Sequence, residues 1–303
     1  MRTFRRGEKR IHKDYLSDTE TAFLFLLPAF LIIFVFQIFP MFYALKLSFF
    51  RWDMITPKHF VGFKNYLNLF SEKEFWQSLG NTFYYVIVSI PFGLGLSLFF
   101  AILLQKGIRM LSFYRTAFFL PYITSMAAIA IVWLWIFNPN KYGLLNYILN
   151  FFHIEPQKWL QSPILAMPAV IVVLIWKNLG FNIIIFLTRL ENINSSFYES
   201  AEIDGANKWQ QFWKITFPLL TPTTAFLLTM STIFAFQVFA SIYVLTPSGG
   251  PKNATTTIIF YLYKNAYQQF RMGYASAIAY VTFFIILIIS LIQKKLMKTN
   301  YEE

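Results

Sequence analysis

Residues 195–222 read SSFYESAEIDGANKWQQFWKITFPLLTP and form the longest polar and aromatic stretch among the loops on one side of a chain of apolar segments. Ser196 followed three residues later by Glu199 predicts a capping box at a helix start. Gly205 predicts a turn between two short helices, because glycine is unfavourable inside one. Residues of the predicted aromatic edge recur at helical spacing: Phe197, Ala201, Trp209, Phe212 and Trp213. Since Pro218 opens the next apolar segment, where its missing N–H costs little, the stretch is predicted to lead into a membrane span.

The composition is that of a membrane protein. Hydrophobic residues make up 57% of the 303 residues, charged residues only 13%, and the mean hydropathy is +0.51. The net charge of +12 does not indicate nucleic-acid binding, because the basic residues are spread over loops and tails without a basic aromatic stripe. Anionic lipid explains them better. The absence of cysteine excludes disulfides and thiolate metal sites.

Six apolar segments are predicted to cross the membrane as helices, which makes the fold all-α. They cover residues 21–47, 83–105, 116–137, 164–187, 219–245 and 273–292. The predicted membrane domain is therefore residues 21–292, including the loop 195–218, with polar tails at 1–20 and 293–303. The side with both termini and this loop carries 15 Lys and Arg residues, against nine on the longer loops of the other side. The positive-inside rule thus predicts that both termini are cytoplasmic.

Several classes of mechanism lack the residues that they require. None of the 14 acidic residues lies in a predicted span, whereas ion-coupled carriers normally keep a titratable group at membrane depth. The sequence has no GxxxxGK[ST] phosphate loop, no GxSxG elbow and no pair of carboxylates in an apolar setting. We therefore predict a transporter subunit driven from outside the chain, with no catalytic residue, metal ligand or cofactor of its own. An ATP-independent carrier or facilitator for a small polar solute is the alternative.

Lys177 is the one charged residue well inside a predicted span. It either reaches backbone carbonyl groups beside Gly180 or lines a water-filled cavity. Its neighbours mix rings and amides, which suits a polyhydroxylated ligand, because amides hydrogen-bond to hydroxyl groups and rings cover the C–H face of a sugar. The candidate substrate-path residues on this span and the next are Trp176, Asn178, Phe181, Asn182, Phe236, Gln237 and Ser241.

The stretch 195–222 also carries a family signature. Glu199-Ser200-Ala201, three residues, Gly205, nine residues, Ile215, one residue and Phe217-Pro218 resemble the EAA motif of the inner-membrane permease subunits of ABC importers, with departures at Ser200 and Phe217. Further segments look like carbohydrate-importer permeases of the maltose and glycerol-phosphate type: residues 176–182 (WKNLGFN), 118–121 (FFLP), 249–251 (GGP) with 255–257 (TTT), and 273–277 (GYASA). Together they extend the resemblance over roughly residues 60–292.

The resemblance implies a type I ABC importer permease with six membrane helices in a bacterial or archaeal cytoplasmic membrane. It implies that the loop is a coupling helix that docks on an ATPase, with Glu199 making a polar contact and Gly205 allowing close approach; the coupling residues are Glu199, Ser200, Ala201, Asp204 and Gly205. The expected partners are membrane lipid, a second similar permease, an ATPase homodimer that binds ATP and Mg²⁺, and an extracytoplasmic solute-binding protein. The expected substrate is a sugar or oligosaccharide.

Overall fold

The computed structural model describes residues 18–105 and 110–297, and these are mostly helical. The α-helices in chain order are α1 (Asp18–Ile33), α2 (Phe39–Ser48), α3 (Lys64–Ser71), α4 (Lys73–Gln105), α5 (Leu111–Ile123), α6 (Met126–Ile136), α7 (Leu144–Phe151), α8 (Ala166–Glu191), α9 (Ser196–Ile203), α10 (Lys208–Gln211), α11 (Phe217–Phe236), α12 (Ala240–Leu245), α13 (Ile258–Tyr263) and α14 (Met272–Leu296). The other elements are π-helical turns at Phe34–Ile38, Phe212–Thr216 and Lys264–Gln268, 3-10 turns at Trp159–Gln161 and Pro251–Asn253, and an antiparallel hairpin of β1 (Phe50–Arg51) and β2 (His59–Phe60). The predicted all-α class is confirmed. Most of the predicted N-terminal tail, part of the C-terminal tail and the basic residues Lys106 and Arg109 lie outside the described residues.

The described residues contain five or six candidate spans, against the six predicted. Within residues 18–105 and 110–297, five helical segments are long and apolar enough to cross a membrane: Thr21–Ser48, Lys73–Gln105, Ala166–Glu191, Lys208–Phe236 and Met272–Leu296. The helices α5 and α6 pass the same test only together, and the count is six when this bent pair is taken as one span. This multi-pass helical architecture is the one predicted from the apolar segments.

The third span differs from the continuous helix predicted over residues 116–137, because α5 and α6 meet at an angle of 98°. Pro121 lacks the N–H that a continuous helix would use, and Thr124 has an extended backbone, with φ −71° and ψ 139°. Ser125 then caps a new helix, as its Oγ accepts a hydrogen bond from the N–H of Ala128 at 3.4 Å. Thr124 and Ser125 thus divide the predicted span into two helices. The division was not evident from the sequence, because the residues on both sides of it are apolar.

Three further boundaries were predicted wrongly. The second span begins at Lys73, ten residues before the predicted start at residue 83. The fifth helical segment begins at Lys208, eleven residues before the predicted start at residue 219. The helix of the fifth span ends at Phe236, not at residue 245, because Gln237 leaves the helical region with φ −93° and ψ 9°, and Phe239 follows with φ −136° and ψ −60°. The short helix α12 follows this break.

The core of the molecule lies between α4, α8 and the helices packed on them. The helix α8 packs along α4, α5 packs on α8, and α11 contacts both α4 and α8. A Cβ atom at Gly180 would lie 1.9 Å from the carbonyl oxygen of Phe118, so α5 approaches α8 at a distance that only glycine permits. The first span contributes little to this core, since its side chains are mostly exposed.

A polar network joins the connections at one end of the bundle. The carboxylate of Glu72, between α3 and α4, accepts hydrogen bonds from the hydroxyl of Tyr261 at 2.5 Å and from Arg271 Nη2 at 3.0 Å. The guanidinium of Arg271 also lies 4.1 Å from the ring centroid of Tyr274. Partial burial raises the pKa of Glu72, but the hydrogen bonds from Tyr261 and Arg271 outweigh it and hold that pKa below its ordinary value of 4.5. Desolvation, with Glu72 alongside, raises the pKa of Tyr261 to about 12.

We predict that this network loses its stabilising effect in acid. A carboxylate whose pKa is lower in the folded state stabilises the fold above its unfolded pKa, and the effect disappears as the pH falls through the folded value. The melting temperature of the detergent-solubilised protein should therefore fall below about pH 4.5, and this fall should be smaller in Glu72→Gln. Glu74→Gln, at an exposed neighbour, is the matched control. An identical acid dependence in the Glu72→Gln variant and the native chain would contradict the prediction.

Candidate functional site

The first part of the stretch 195–222 folds as two short helices, α9 and α10, with a turn at Gly205 between them, as predicted. Gly205 has a left-handed backbone with φ +77°. Its N–H donates to the carbonyl of Glu202 at 3.0 Å, and the N–H of Ala206 donates to the carbonyl of Ala201 at 2.9 Å. This pair of bonds is a Schellman motif, in which the left-handed residue is usually glycine.

The start of α9 differs from the predicted capping box of Ser196 and Glu199. The backbone is already helical one residue earlier, and Oδ1 of Asn194 accepts the N–H of Ser196 at 3.0 Å. A capping box forms instead at the start of α10. There the side chain of Asn207 accepts the N–H of Gln210, and the side chain of Gln210 accepts the N–H of Asn207, both at 2.9 Å. The motif was thus predicted one helix too early.

The helix α9 lies at the end of the bundle where α4 and α8 end and α5 begins. Nε2 of Gln105 donates to the carbonyl of Leu190 at 3.2 Å, and Arg115 forms an ion pair with Glu191. The connection from α8 to α11, which contains α9, begins where α8 ends and therefore lies on this side.

The surface of α9 is largely free of contacts within the chain. Ile203 is 87% exposed, an unusual state for an aliphatic residue. The hydroxyl groups of Tyr198 and Thr216 hydrogen-bond at 2.9 Å and hold α9 against the start of the fifth span. Lys208 pairs with Glu202 and lowers the pKa of that exposed carboxyl. Of the predicted coupling residues, Ala201 is half-buried and the others are exposed: Glu199, Ser200, Asp204 and Gly205.

A cavity of about 350 Å³ opens between α4, α5, α8 and α11. Three predicted path residues line it, namely Asn178, Phe181 and Asn182 of α8. The ring of Phe181 stacks on that of Tyr122 from α5, with centroids 4.9 Å apart and planes at 19°. The cavity wall therefore combines amide groups with ring faces, as the sequence analysis expected for a path that takes hydroxylated molecules.

The other four predicted path residues lie elsewhere. Trp176 packs edge-on against Trp133. Phe236 is fully buried, and its ring lies edge-on to that of a residue on α4. Gln237, predicted to lie on the path within a continuous span, is exposed at the end of α11, and Ser241 is buried in α12. The break after α11 explains the last two positions, because it turns the chain out of the helix.

Sequence reasoning missed the contribution of α4 to the cavity. Tyr85, Ser89 and Gly93 line it and follow one another at four-residue spacing on one face of α4. The same four-residue spacing occurs on α11, with Ser231 and Ala235. A four-residue repeat of hydroxyl-bearing or small residues in an apolar helix is the signal that could have found these positions.

Lys177 combines both of the roles that the sequence left open. Its side chain borders the cavity, and its ammonium group donates to the carbonyl oxygens of Pro121 at 3.1 Å, Tyr122 at 3.0 Å and Thr124 at 2.7 Å. These carbonyls lie at the end of α5, where the helix dipole favours a cation. All three ammonium protons are therefore used inside the chain, and Lys177 holds the bent third span against α8.

We predict that Lys177→Met destabilises the fold by about 3 kcal/mol, because three charge-assisted hydrogen bonds are lost and carbonyl groups stay unpaired in an apolar setting. The effect should appear as a lower melting temperature of the detergent-solubilised protein. Lys73→Met, at an exposed lysine where α4 begins, is the matched control and should leave the melting temperature nearly unchanged. Equal melting temperatures of the two variants would show that the three bonds contribute nothing.

The glycine motif 249–251 has a structural role at the other end of the bundle. Gly249 and Gly250 have left-handed backbones, with φ +82° and +73°. A Cβ atom at Gly249 would lie 2.1 Å from Oγ1 of Thr256. Asn81 of α4 fixes this turn, because its Nδ2 donates to the carbonyls of Asn253 at 2.9 Å and Thr256 at 3.0 Å. The motif thus packs a turn tightly onto α4.

Comparison with known proteins identifies the family. Residues 70–298 match the model of the binding-protein-dependent transport system inner membrane component. The chain belongs to this family. Its members are permease subunits of ABC importers, so the predicted ABC importer permease is confirmed, and the chain is a transporter subunit, not an enzyme.

Relatives of this permease resemble it over nearly their full length. The probable ABC transporter permease YesP of Bacillus subtilis is 38% identical over 296 residues, which cover 96% of this chain and 93% of YesP. The arabinooligosaccharide transport permease AraP of Halalkalibacterium halodurans is 33% identical over 291 residues, with coverage of 95% and 91%.

A solved structure shares the fold of the permease. A chain of a bacterial ABC transporter for the acidic polysaccharide alginate has a TM-score of 0.81 and 26% identity, and the match covers 93% of this chain and 96% of that one. A second similar chain, with a TM-score of 0.80 and 26% identity over 92% of this chain and 96% of that one, comes from a bacterial alginate ABC transporter in complex with a periplasmic protein bound to an alginate pentasaccharide.

Proposed function

We propose that this permease forms half of the path by which an ATP-driven importer moves a sugar or oligosaccharide across a bacterial or archaeal cytoplasmic membrane. The observation that carries the proposal is the cavity beside Lys177, where Asn178, Asn182 and Ser89 lie among aromatic rings. Amide and hydroxyl groups bind sugar hydroxyls, and ring faces cover apolar sugar surfaces. The names of relatives, which include transporters of arabinooligosaccharides and lactose, support the same substrate class.

The proposed assembly has three further components. A second, similar permease completes the path, an ATPase homodimer binds ATP and Mg²⁺, and an extracytoplasmic binding protein delivers the sugar. The complex of the alginate transporter with its periplasmic protein supports the last of these. We place both termini and α9 in the cytoplasm on the basis of the charge asymmetry, which leaves α9 accessible to the ATPase.

In the proposed mechanism, α9 couples ATP hydrolysis to alternating access. Glu199, Ser200, Ala201, Asp204 and Gly205 form the docking surface, which fits the exposure of most of α9. Closure of the ATPase dimer draws the coupling helices of the two permeases together, and the path opens outward to receive the sugar. Hydrolysis reverses the movement.

The proposal is tested by sugar uptake through the assembled importer with Asn182→Ala. Loss of a hydrogen bond that binds sugar costs about 1 kcal/mol, so uptake at low sugar concentration should fall roughly fivefold to tenfold. Asn150→Ala, at an exposed asparagine of α7, is the control and should transport normally. Equal uptake by both variants would exclude Asn182 from the path. Uptake that continues in membranes without ATP would favour the facilitator.

A further inference from the structure

The helix α7, in the connection between the third and fourth spans, is held in one rotational setting. Asn146 of α7 is fully buried, and its Nδ2 donates to the carbonyls of Asn138 at 3.0 Å and Gln157 at 3.1 Å. Its Oδ1 accepts the N–H of Gln157 and Nε1 of Trp159, both at 3.0 Å. These four bonds tie α7 to the chain on both sides of it, so the face that α7 turns outward is set by the fold.

That outward face is apolar. The large residues on it follow the helical spacing i, i+3, i+4, i+7 and i+8 and form the outer stripe of α7: Leu144, Tyr147, Ile148, Phe151 and Phe152. Tyr147 is 68% exposed and Phe151 is 80% exposed. The opposite face carries Leu145 and Leu149, which are half-buried, so α7 is apolar towards the protein and towards its surroundings.

We propose that the outer stripe of α7 inserts into the lipid at the membrane surface on the side opposite α9. Consecutive connections of a multi-pass chain lie on opposite sides, and α7 precedes α8 whereas α9 follows it. Exposed Lys141 and Lys158 flank the helix and supply cationic groups that lipid phosphates attract. Aromatic rings on an apolar face with lysines beside it are typical of helices that lie in the bilayer interface.

The composition of the stripe favours lipid over a soluble protein as its occupant. A soluble binding protein that docks and leaves would return the surface to water after each cycle, and a contiguous stripe of this kind is costly in water. Lipid covers it at all times. The inference requires only that the chain spans the membrane, and so it does not depend on the proposed substrate.

The natural absence of cysteine makes the test direct. Single cysteines replace Tyr147 and Phe151 on the stripe, and Asn150 and Glu155 serve as exposed polar controls. Each variant is labelled with the environment-sensitive fluorophore NBD and placed in vesicles of phosphatidylethanolamine and phosphatidylglycerol, alone and as the assembled importer. Quenching by spin-labelled lipid is compared with quenching by aqueous iodide.

We expect labels at 147 and 151 to emit at shorter wavelength and to be quenched several-fold more by spin-labelled lipid than by iodide, with the reverse at 150 and 155. Quenching by iodide at 147 and 151 would overturn the proposal. The proposal would also be overturned if spin-labelled lipid quenched the fluorescence at 147 and 151 in the isolated chain but not in the assembled importer. The second permease would then cover the stripe. Protection that appears only when the binding protein is added would assign the surface to that protein.

Discussion

Replacement of Gly180 by alanine is expected to lower the free energy of unfolding by about 3 kcal/mol or more. The added methyl group would lie 1.9 Å from the carbonyl oxygen of Phe118 and 2.8 Å from the backbone nitrogen of Phe119. Because these are backbone atoms, no side chain can turn aside, and α5 must move away from α8. The movement would also disturb the bonds of Lys177 to the end of α5 and the stacking of Phe181 on Tyr122.

The measurement is the melting temperature and the fraction of monodisperse protein after detergent extraction. Gly95→Ala is the matched control, because a Cβ atom at Gly95 on the neighbouring helix α4 meets nothing within 4 Å. That variant should be as stable as the native protein or slightly more so, since alanine favours the helix. If Gly180→Ala and Gly95→Ala have the same melting temperature, α5 and α8 do not approach each other as closely as the structure shows.

Replacement of Gly205 by valine is expected to reduce transport more than tenfold while the protein still inserts into the membrane. A left-handed backbone costs an ordinary L-residue about 1–2 kcal/mol and a β-branched one more, so the Schellman turn that ends α9 should open. We expect α9 to lose the geometry with which it docks on the ATPase. Transport and ligand-stimulated ATP hydrolysis by the assembled importer are the readouts.

The variant Gly205→Asn separates two explanations of why this position needs glycine. Within the chain, a Cβ atom at Gly205 meets nothing within 4 Å. Asparagine tolerates the left-handed backbone, so this variant should keep most activity if backbone freedom is what the site needs. An inactive but folded Gly205→Asn would instead indicate that the ATPase approaches the backbone too closely for any side chain. Normal coupled transport by Gly205→Val would show that the turn is not needed.

The parts of the fold that depend on local chemistry were predictable from the sequence. Apolar segments gave the six spans because only long apolar helices cross a bilayer. The turn at Gly205 was predictable because one residue type sets the backbone there. The capping box was placed wrongly because Ser196 and Asn207 both fit the pattern, and the choice depends on where the preceding chain turns.

The parts that depend on packing between helices were not predictable. The bend after Ile123 needs Lys177 from another span to bind the free carbonyl groups of α5, and the spacing of residues along one helix does not show such a partner. The role of Gly180, which is to admit the backbone of Phe118, likewise depends on a contact with another helix. Gln237 was placed on the path because its helix was taken to continue, and the break after Phe236 turned it outward.

Assembly with an ATPase and a second permease is tested most directly by purifying the tagged chain from gently solubilised membranes and assaying ATP hydrolysis in the eluate. We predict that both proteins co-purify, that sugar-loaded binding protein stimulates ATP turnover, and that a variant with Glu199→Ala and Gly205→Val together loses the ATPase while still inserting. A folded chain that elutes alone, without ATP turnover, would contradict the coupling role of α9 and the importer mechanism proposed for this chain.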